Sequence, residues 1–486
     1  MKNGSRWLRA MVCVVAASCA SAAIAADESE LKEQQQQARE AIAAGDWNAA
    51  RSQLEALLDA QPNDQDALYD LAVVEAQLGN VNESIRRLIQ AFQSGFIDFD
   101  RLERDARLDP LRESREFQAI LSGRRALLDA RADANEESLR ELLGKGYTYQ
   151  RDPELRLIIA SSFNPRSTEV AEEEISDVAS WAFANVFEAP APDDPAAPPW
   201  VSVILPTSQH FAGFMMMLGA GPNVGGLYDH NRSQLICQDI GPSLRHEFLH
   251  VLHWRILSQT GQTHPDWIME GLGTLIEDVD PDPESPGGFI PAPSWRTNIA
   301  KRLLGLGRLI PLNDLVMMDR RVFRTRRPNA NYAQARAFVM FIHDQGLLRE
   351  FFDEYLATND QDPTGVLALE TAFDLPLSDI ESAYRVWLDA LPEAPESIRS
   401  GMASLGVFVG AGRGDGPVIE EVVAGSRAGG SGLRLRDVIL SVDGRSTRTL
   451  PDLVRVLSHY EPGDRVDVEV RRGARRLTFE VELVER

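Results

Sequence analysis

The pattern of apolar and polar positions changes character along the chain. From about Leu31, apolar residues recur every three or four positions, the spacing of helices that bury one face. Farther on come short unbroken apolar runs, LRLIIAS (Leu155 to Ser161), WVSVILP (Trp200 to Pro206) and SQLICQ, which predict buried strands. A helix-like segment and the proline-rich EAPAPDDPAAPPW separate the first two, and the glycine-rich LGAGPNVGGLYD precedes the third. SQLICQ leads directly into GPSLRHEFLHVLHW, where Leu244, Phe248, Leu249, Val251 and Leu252 predict a buried helix and Pro242 suits its first turn. After LPEAPES the chain reads as short strands, with one helix over Leu450 to Leu457 and a hairpin at Arg472-Gly473. Strands followed by helices, flanked by a helical and a β-rich segment, predict a multidomain α+β protein.

Length and charge narrow the picture. A chain of 486 residues is too long for one core and suggests about three domains. We expect an export segment at 1–26, a helical domain at 30–130, a domain carrying the chemistry at 150–395 and a β-rich domain at 401–486. The formal charge is -23, and the first 26 residues hold Lys2, Arg6 and Arg9 but no acid, so the remainder is more acidic still. Such a surface repels nucleic acid and anionic lipid, which excludes both as partners.

The amino-terminal stretch joins a basic start to an apolar run near Met11 to Ala17 and the small-residue site Ala23-Ile24-Ala25, the order found in export signals. The apolar run is shorter than the ~20 residues a membrane span requires. Export places the mature chain in a periplasmic or secreted setting; lipid anchoring through Cys19 is the lesser alternative. Removal of the segment takes Cys13 and Cys19 and leaves Cys237 alone, so no internal disulfide is expected. Cys237 reads as a small buried apolar residue, and the Met215-Met216-Met217 triplet as core packing ahead of a soft substrate-facing surface. No later apolar stretch is long enough to cross a bilayer.

The quoted helix carries the chemistry. His246 and His250 lie one turn apart, so both imidazoles reach a single ion, while Glu247 points to the adjacent side, where a water activated by that ion would sit. Two ligands with a carboxylate base are the physical content of HExxH. The alternative is a core helix with hydrogen-bonded histidines. Downstream, HPDWIMEGLGTLIED places Glu270 in a second helix announced by Pro265 and Asp266. HExxH followed by W-x-x-E-G resembles the gluzincin metallopeptidases, the thermolysin and aminopeptidase N group with the wider peptidase-MA-like set.

That resemblance implies a thermolysin-like zincin domain, Zn2+ as cofactor, His246, His250 and Glu270 as metal ligands, and Glu247 as general base and proton shuttle. Aminopeptidase N relatives place their transition-state tyrosine at a distance broadly similar to that of Tyr332, about sixty residues beyond Glu270 in NYAQARAFVMFI. Tyr332 is therefore expected as oxyanion donor, with packing or hydrogen bonding as the alternative. Two features depart from the family. The G-x-M-E-N element that grips a substrate's amino terminus is missing, and Thr274 stands where thermolysin has a carboxylate four residues after its ligand glutamate. His253 is expected in packing or beside the ligands, and His264 in a loop. The cluster RRVFRTRRP, Arg320 to Pro328, reads as a solvated loop, or as a surface for acidic substrate or for the acidic helical domain.

Gly45 and Gly79, in AAGDWNAA and QLGNVNES, lie 34 residues apart, with Pro62 where a second helix should end. With Trp47, Ala50 and Leu71 on packing positions, this resembles the tetratricopeptide repeat (TPR), although Ser84 and Phe96 stand where a small Ala and a Pro are usual. It implies a protein partner in a groove, or a helical cap on the next domain. The carboxy-terminal segment, with Leu433, Asp437, Val438, Ile439 and Asp443-Gly444, closely resembles the bacterial PDZ module of periplasmic proteases; Arg436 replaces a usual glycine. The resemblance implies that Ser404, Leu405, Gly406 and Val407 form the loop and strand that hold the free C-terminus of a peptide; a ligand-free spacer is the alternative.

These readings lead to an exported zinc-dependent metalloprotease, in first place an endopeptidase, whose PDZ and TPR-like regions recruit or gate protein and peptide substrates. A glycyl-aminopeptidase-like exopeptidase is the enzymatic alternative. A TPR/PDZ binding scaffold that cleaves nothing is the other, and Glu247 argues against it, since binding a metal requires no base.

Overall fold

The computed structural model describes residues 21–191, 196–219, 224–395, 397–398, 400–410, 416–423, 430–447, 450–473 and 475–486, with the side chains of 21–30, 32, 166 and 446 left aside. Most of the expected export segment, with Cys13 and Cys19, lies outside the described residues. The chain forms two compact units, residues 1–131 with 195–197, and residues 132–194 with 198–486. A helical amino-terminal region, a mixed middle and a β-rich carboxy-terminal region make it a multidomain α+β protein.

The first unit contains α1 (Ser21–Ala44), α2 (Trp47–Ala60), α3 (Gln65–Gln77), α4 (Val81–Ser94), α5 (Phe99–Arg104) and α6 (Arg115–Ser122). Gly45 and Gly79 both take left-handed φ angles, 71° and 79°, at equivalent turns between paired helices. Asp46 and Asp64 cap α2 and α3 by accepting backbone N–H groups. The two departures from the repeat pattern have local reasons. Ser84 is fully buried because its hydroxyl donates to the carbonyl of Ala72 at 2.6 Å. Phe96 stacks on Tyr69 with ring centroids 4.7 Å apart, filling space a proline would leave empty.

Helix α7 (Arg124–Leu143) leads into the second unit, whose middle region is built on a five-stranded sheet of order β1-β2-β3-β5-β4. Strands β2 (Leu157–Ser161), β3 (Val201–Leu205) and β5 (Gln234–Cys237) run parallel, and β2 and β3 are buried at every position, which is why they appear as unbroken apolar runs. The antiparallel edges are β1 (Thr148–Asp152) and β4 (Gly226–Asp229). The apolar pattern does not announce these two short edge strands. One face of the sheet carries α9 (Ser208–Met217), through Phe211, Phe214 and Met215. Met216 and Met217 are exposed, so of the triplet Met215 alone belongs to the core.

The opposite face carries α8 (Pro165–Asn185) and α10 (Pro242–Thr260), and the core continues through α11 (Asp266–Leu275). A small hairpin of β6 (Val279–Pro281) and β7 (Phe289–Pro291) follows, then α12 (Trp295–Gly305), α13 (Leu312–Val316), α14 (Arg320–Thr325), α15 (Pro328–Asp344), α16 (Leu348–Thr358), α17 (Val366–Phe373) and α18 (Leu377–Ala390). Arg336 on α15 is fully buried and binds the carbonyls of Thr274, Leu275, Asp278 and Ala292, which ties the segment after α11 to the core.

The carboxy-terminal region has its own apolar core, under a sheet of order β14-β13-β11-β10-β9. Here β8 is Ala403–Ser404, β9 Val407–Gly410, β10 Val418–Val422, β11 Val438–Val442, β12 Arg445–Ser446, β13 Arg465–Arg472, β14 Arg475–Glu482 and β15 Val484–Glu485, with α19 over Leu450–Leu457. Arg436 has φ 67°, a left-handed geometry that explains why glycine is usual there. On α19, Arg455 reaches Asp278 at 3.0 Å and Asp280 at 3.1 Å and donates to the carbonyl of Pro293, so this sheet is seated on the β6–β7 hairpin within the same unit.

Candidate metal centre

Helix α10 starts at Gly241, whose φ of 101° turns the chain out of β5, and stops at Gly261 in a left-handed cap. Leu244, Phe248, Leu249, Val251 and Leu252 are all buried, which fixes the rotation of the helix. That rotation brings the rings of His246 and His250 together, with centroids 4.6 Å apart and planes nearly perpendicular. Helix α11 lies across them because two of its glycines leave room. A Cβ on Gly273 would sit 2.9 Å from Cε1 of His246, and one on Gly271 would sit 2.7 Å from Cγ2 of Val339 on α15.

Glu270, buried on α11, points Oε2 at both imidazoles, 3.4 Å from Nε2 of His246 and 3.7 Å from Nε2 of His250. Each residue offers one ligand atom, and the three atoms lie within 4.8 Å of one another. The two glutamate separations are longer than a good hydrogen bond and close to the ~3.4 Å edge of a tetrahedron around zinc with bonds near 2.0–2.1 Å. Burial opposes charge on His246, yet hydrogen bonding to Glu270 and Glu277 raises its pKa to about 10. The pocket therefore draws positive charge, and its two imidazoles and one carboxylate fit a zinc ion.

The carboxylate missing at Thr274 is supplied from elsewhere. Thr274 turns its hydroxyl back to the carbonyl of Glu270 at 2.6 Å, while Oε1 of Glu277, beyond the end of α11, lies 2.9 Å from Nδ1 of His246. Glu277 is in turn held by Arg296 at 2.7 and 3.2 Å. Burial works against the Glu277 carboxylate, but Arg296 and His246 bring it down to about 2, so it stays ionised. A carboxylate on the far nitrogen of a ligand histidine fixes its tautomer and ring orientation. Nδ1 of His250 is buried without a hydrogen-bond partner among the described residues.

Glu247 is held by the edge strand. Its Oε2 accepts the backbone N–H of Tyr228 on β4 at 2.9 Å, and a Cβ on Gly226 would come 2.9 Å from its Cγ. Part of the glycine-rich stretch thus clears space for this carboxylate. Tyr332, half-buried on α15, packs against Phe323 with centroids 5.2 Å apart. Burial pushes its phenol well above the ordinary value, and the charge of Glu270 adds to that push.

His253 and His264 do not join the cluster. They form a buried pair, Nε2 to Nδ1 at 2.7 Å, among Phe187, Phe352 and Tyr355. His264 is in a loop, yet buried. The arginine cluster is solvent-exposed as expected, but its first six residues form helix α14 in place of a loop, and Arg320 and Arg324 both bind Asp266, at 3.2 and 2.7 Å, with Arg324 also reaching Glu270 at 2.9 Å. In the carboxy-terminal region β9 is an edge strand of its sheet, and Gly406 before it has φ 71°. Leu405 and Val407 are buried beside it, and Ser404 accepts the Gly406 N–H at 3.2 Å.

Known proteins resemble parts of this chain. No curated protein matches it. Among solved structures, an aminopeptidase N family protein from Idiomarina loihiensis is 15% identical over 70% of this chain and 67% of its own, with a TM-score of 0.27. The HtrA-type protease AlgW, in a variant form with a decapeptide, is 25% identical over 18% of this chain and 29% of its own, with a TM-score of 0.17. Both TM-scores are too low to establish a shared overall fold. Family models match two segments, the tetratricopeptide repeat over residues 36–95 and the PDZ domain over residues 403–483. The chain therefore contains a TPR segment before, and a PDZ domain after, the stretch of sequence that holds the histidine and glutamate cluster.

Proposed function

We propose that this protein is an exported zinc-dependent peptidase of the gluzincin kind, cutting within polypeptide chains. The observation that carries this reading is the convergence of His246, His250 and Glu270 on one point, with Glu247 beside them. Those three residues would hold a zinc ion, and the chemistry it would supply there is Lewis acidity toward a carbonyl and a water. Glu247, oriented by the Tyr228 N–H, takes the proton of the attacking water and hands it to the leaving amine. Tyr332 keeps its proton because its phenol is pushed up, and its hydroxyl donates to the developing oxyanion.

Before and after this domain in sequence, at 150–395, the TPR-like region at 30–130 and the PDZ domain at 401–486 bring in protein substrates, the latter by adding a free peptide C-terminus along β9. No helix among the described residues is long and apolar enough to cross a membrane.

The deciding experiment exposes a peptide library to the full chain loaded with zinc and to Glu247→Gln. The wild type should cut internal bonds. The variant should keep its metal and lose roughly 10²- to 10⁴-fold in rate. Equal cleavage by both would reject the mechanism, release of single amino-terminal residues would replace the endopeptidase with an exopeptidase, and no cleavage by wild type would leave a binding scaffold.

A further inference from the structure

Asp266 and Glu270 stand one helical turn apart on α11 and present two buried carboxylates to the same side, with side-chain exposures of 0% and 7%. Such a pair repels itself unless a cation lies between them. Arg324 on α14 is that cation. Its Nε donates to Oδ2 of Asp266 at 2.7 Å, while Nη2 donates to Oδ1 of Asp266 at 3.0 Å and to Oε1 of Glu270 at 2.9 Å. The oxygen it holds is not the one that faces the imidazoles, because Oε2 is the atom 3.4 and 3.7 Å from the two Nε2 atoms.

We propose that Arg324 is a positioning residue that assigns the two oxygens of Glu270 to different tasks, holding Oε1 so that the metal is met by Oε2 alone. This rests on the metal reading above. A carboxylate with both oxygens free can close on a metal through both, which fills the position a water or substrate carbonyl needs. By occupying Oε1, Arg324 keeps that position open. A planar guanidinium suits the task because its fork spans two carboxylates at fixed angles, which an ammonium cannot do. Asp266 serves as the anchor that aims the fork.

Cobalt(II) and zinc binding to the full chain test this without reference to turnover. Wild type should bind one ion per chain and lose it in His246→Ala. In Arg324→Ala the zinc dissociation constant should rise about 10-fold, as for other outer partners of metal ligands. The visible cobalt bands should weaken from the strong absorption of four-coordination toward that of five. Arg320 remains on Asp266 in this variant, and metal-free thermal melting reports whether the fold persists. Arg324→Lys, which keeps the charge without the fork, should show the same spectral change and is read by the same criterion if the alanine variant does not fold. A variant that binds cobalt with the wild-type spectrum overturns the inference while the metal reading stands. A wild type that binds neither ion overturns both.

Discussion

Glu277 and His246 are joined at 2.9 Å through Oε1 and Nδ1, between the segment just past one helix and the second turn of another. The contact gives the first histidine of HExxH the carboxylate support that Thr274 fails to provide. It also links the site to Arg296, which holds the other side of Glu277.

Glu277→Gln should therefore weaken zinc binding by roughly 10- to 100-fold, the usual cost of losing an outer carboxylate. An amide keeps the shape and can still meet Arg296, so melting of the metal-free protein should change little. Competition with a chromogenic chelator measures the affinity. Unchanged affinity would mean that Glu277 serves the fold only.

Gly226→Ala should lower the rate and leave metal content alone. The added Cβ would come 2.9 Å from Cγ of Glu247 and 3.2 Å from Sγ of Cys237, so the base must move. A displacement near 1 Å costs about 10²-fold in rate. Zinc content by mass spectrometry beside peptide cleavage separates this from general damage, in which both would fall.

The buried pair of His253 and His264 should make the second unit sensitive to mild acid. Burial lowers His264 to about 4 and takes His253 well below its ordinary value of 6.5. Below the ordinary value the unfolded chain binds protons that the folded chain refuses, so stability falls as pH drops below about 6.5, the share of His264 being lost by about pH 4. His253→Phe with His264→Phe, in surroundings already aromatic, should flatten melting temperature against pH over that range. A slope equal to that of wild type would remove the pair as its source.

The PDZ domain should distinguish free from amidated peptides. Its strand β9 lies at the edge of the sheet, pairing among the described residues on one side only, and the loop from Ser404 to Val407 turns at Gly406. Peptides ending in an apolar residue with a free carboxylate should bind, and amidation should weaken them by a factor that titration calorimetry can read. Equal affinities would remove carboxylate recognition.

What the sequence determined by itself is what local spacing can encode. His246 and His250 share a face because α10 is helical, and it is helical because its apolar residues and flanking glycines demand it. The strands β2, β3 and β5 were legible as apolar runs, and the glycines at 45 and 79 as recurring turns. The edge strands β1 and β4 were not, because they are only partly buried and so carry no unbroken apolar run.

Only the tertiary structure decided who surrounds the site. Tyr228 reaches Glu247 across 19 residues, Glu277 reaches His246 across 31, and Arg324 reaches Glu270 across 54. The sequence offers Glu277 as one acid among many, and Arg324 as one arginine in a run that reads as solvated. No periodicity links such partners. Their meeting depends on how α10, α11, α14 and β4 pack, and that packing is set by the volume of side chains and by the space left at Gly226, Gly271 and Gly273.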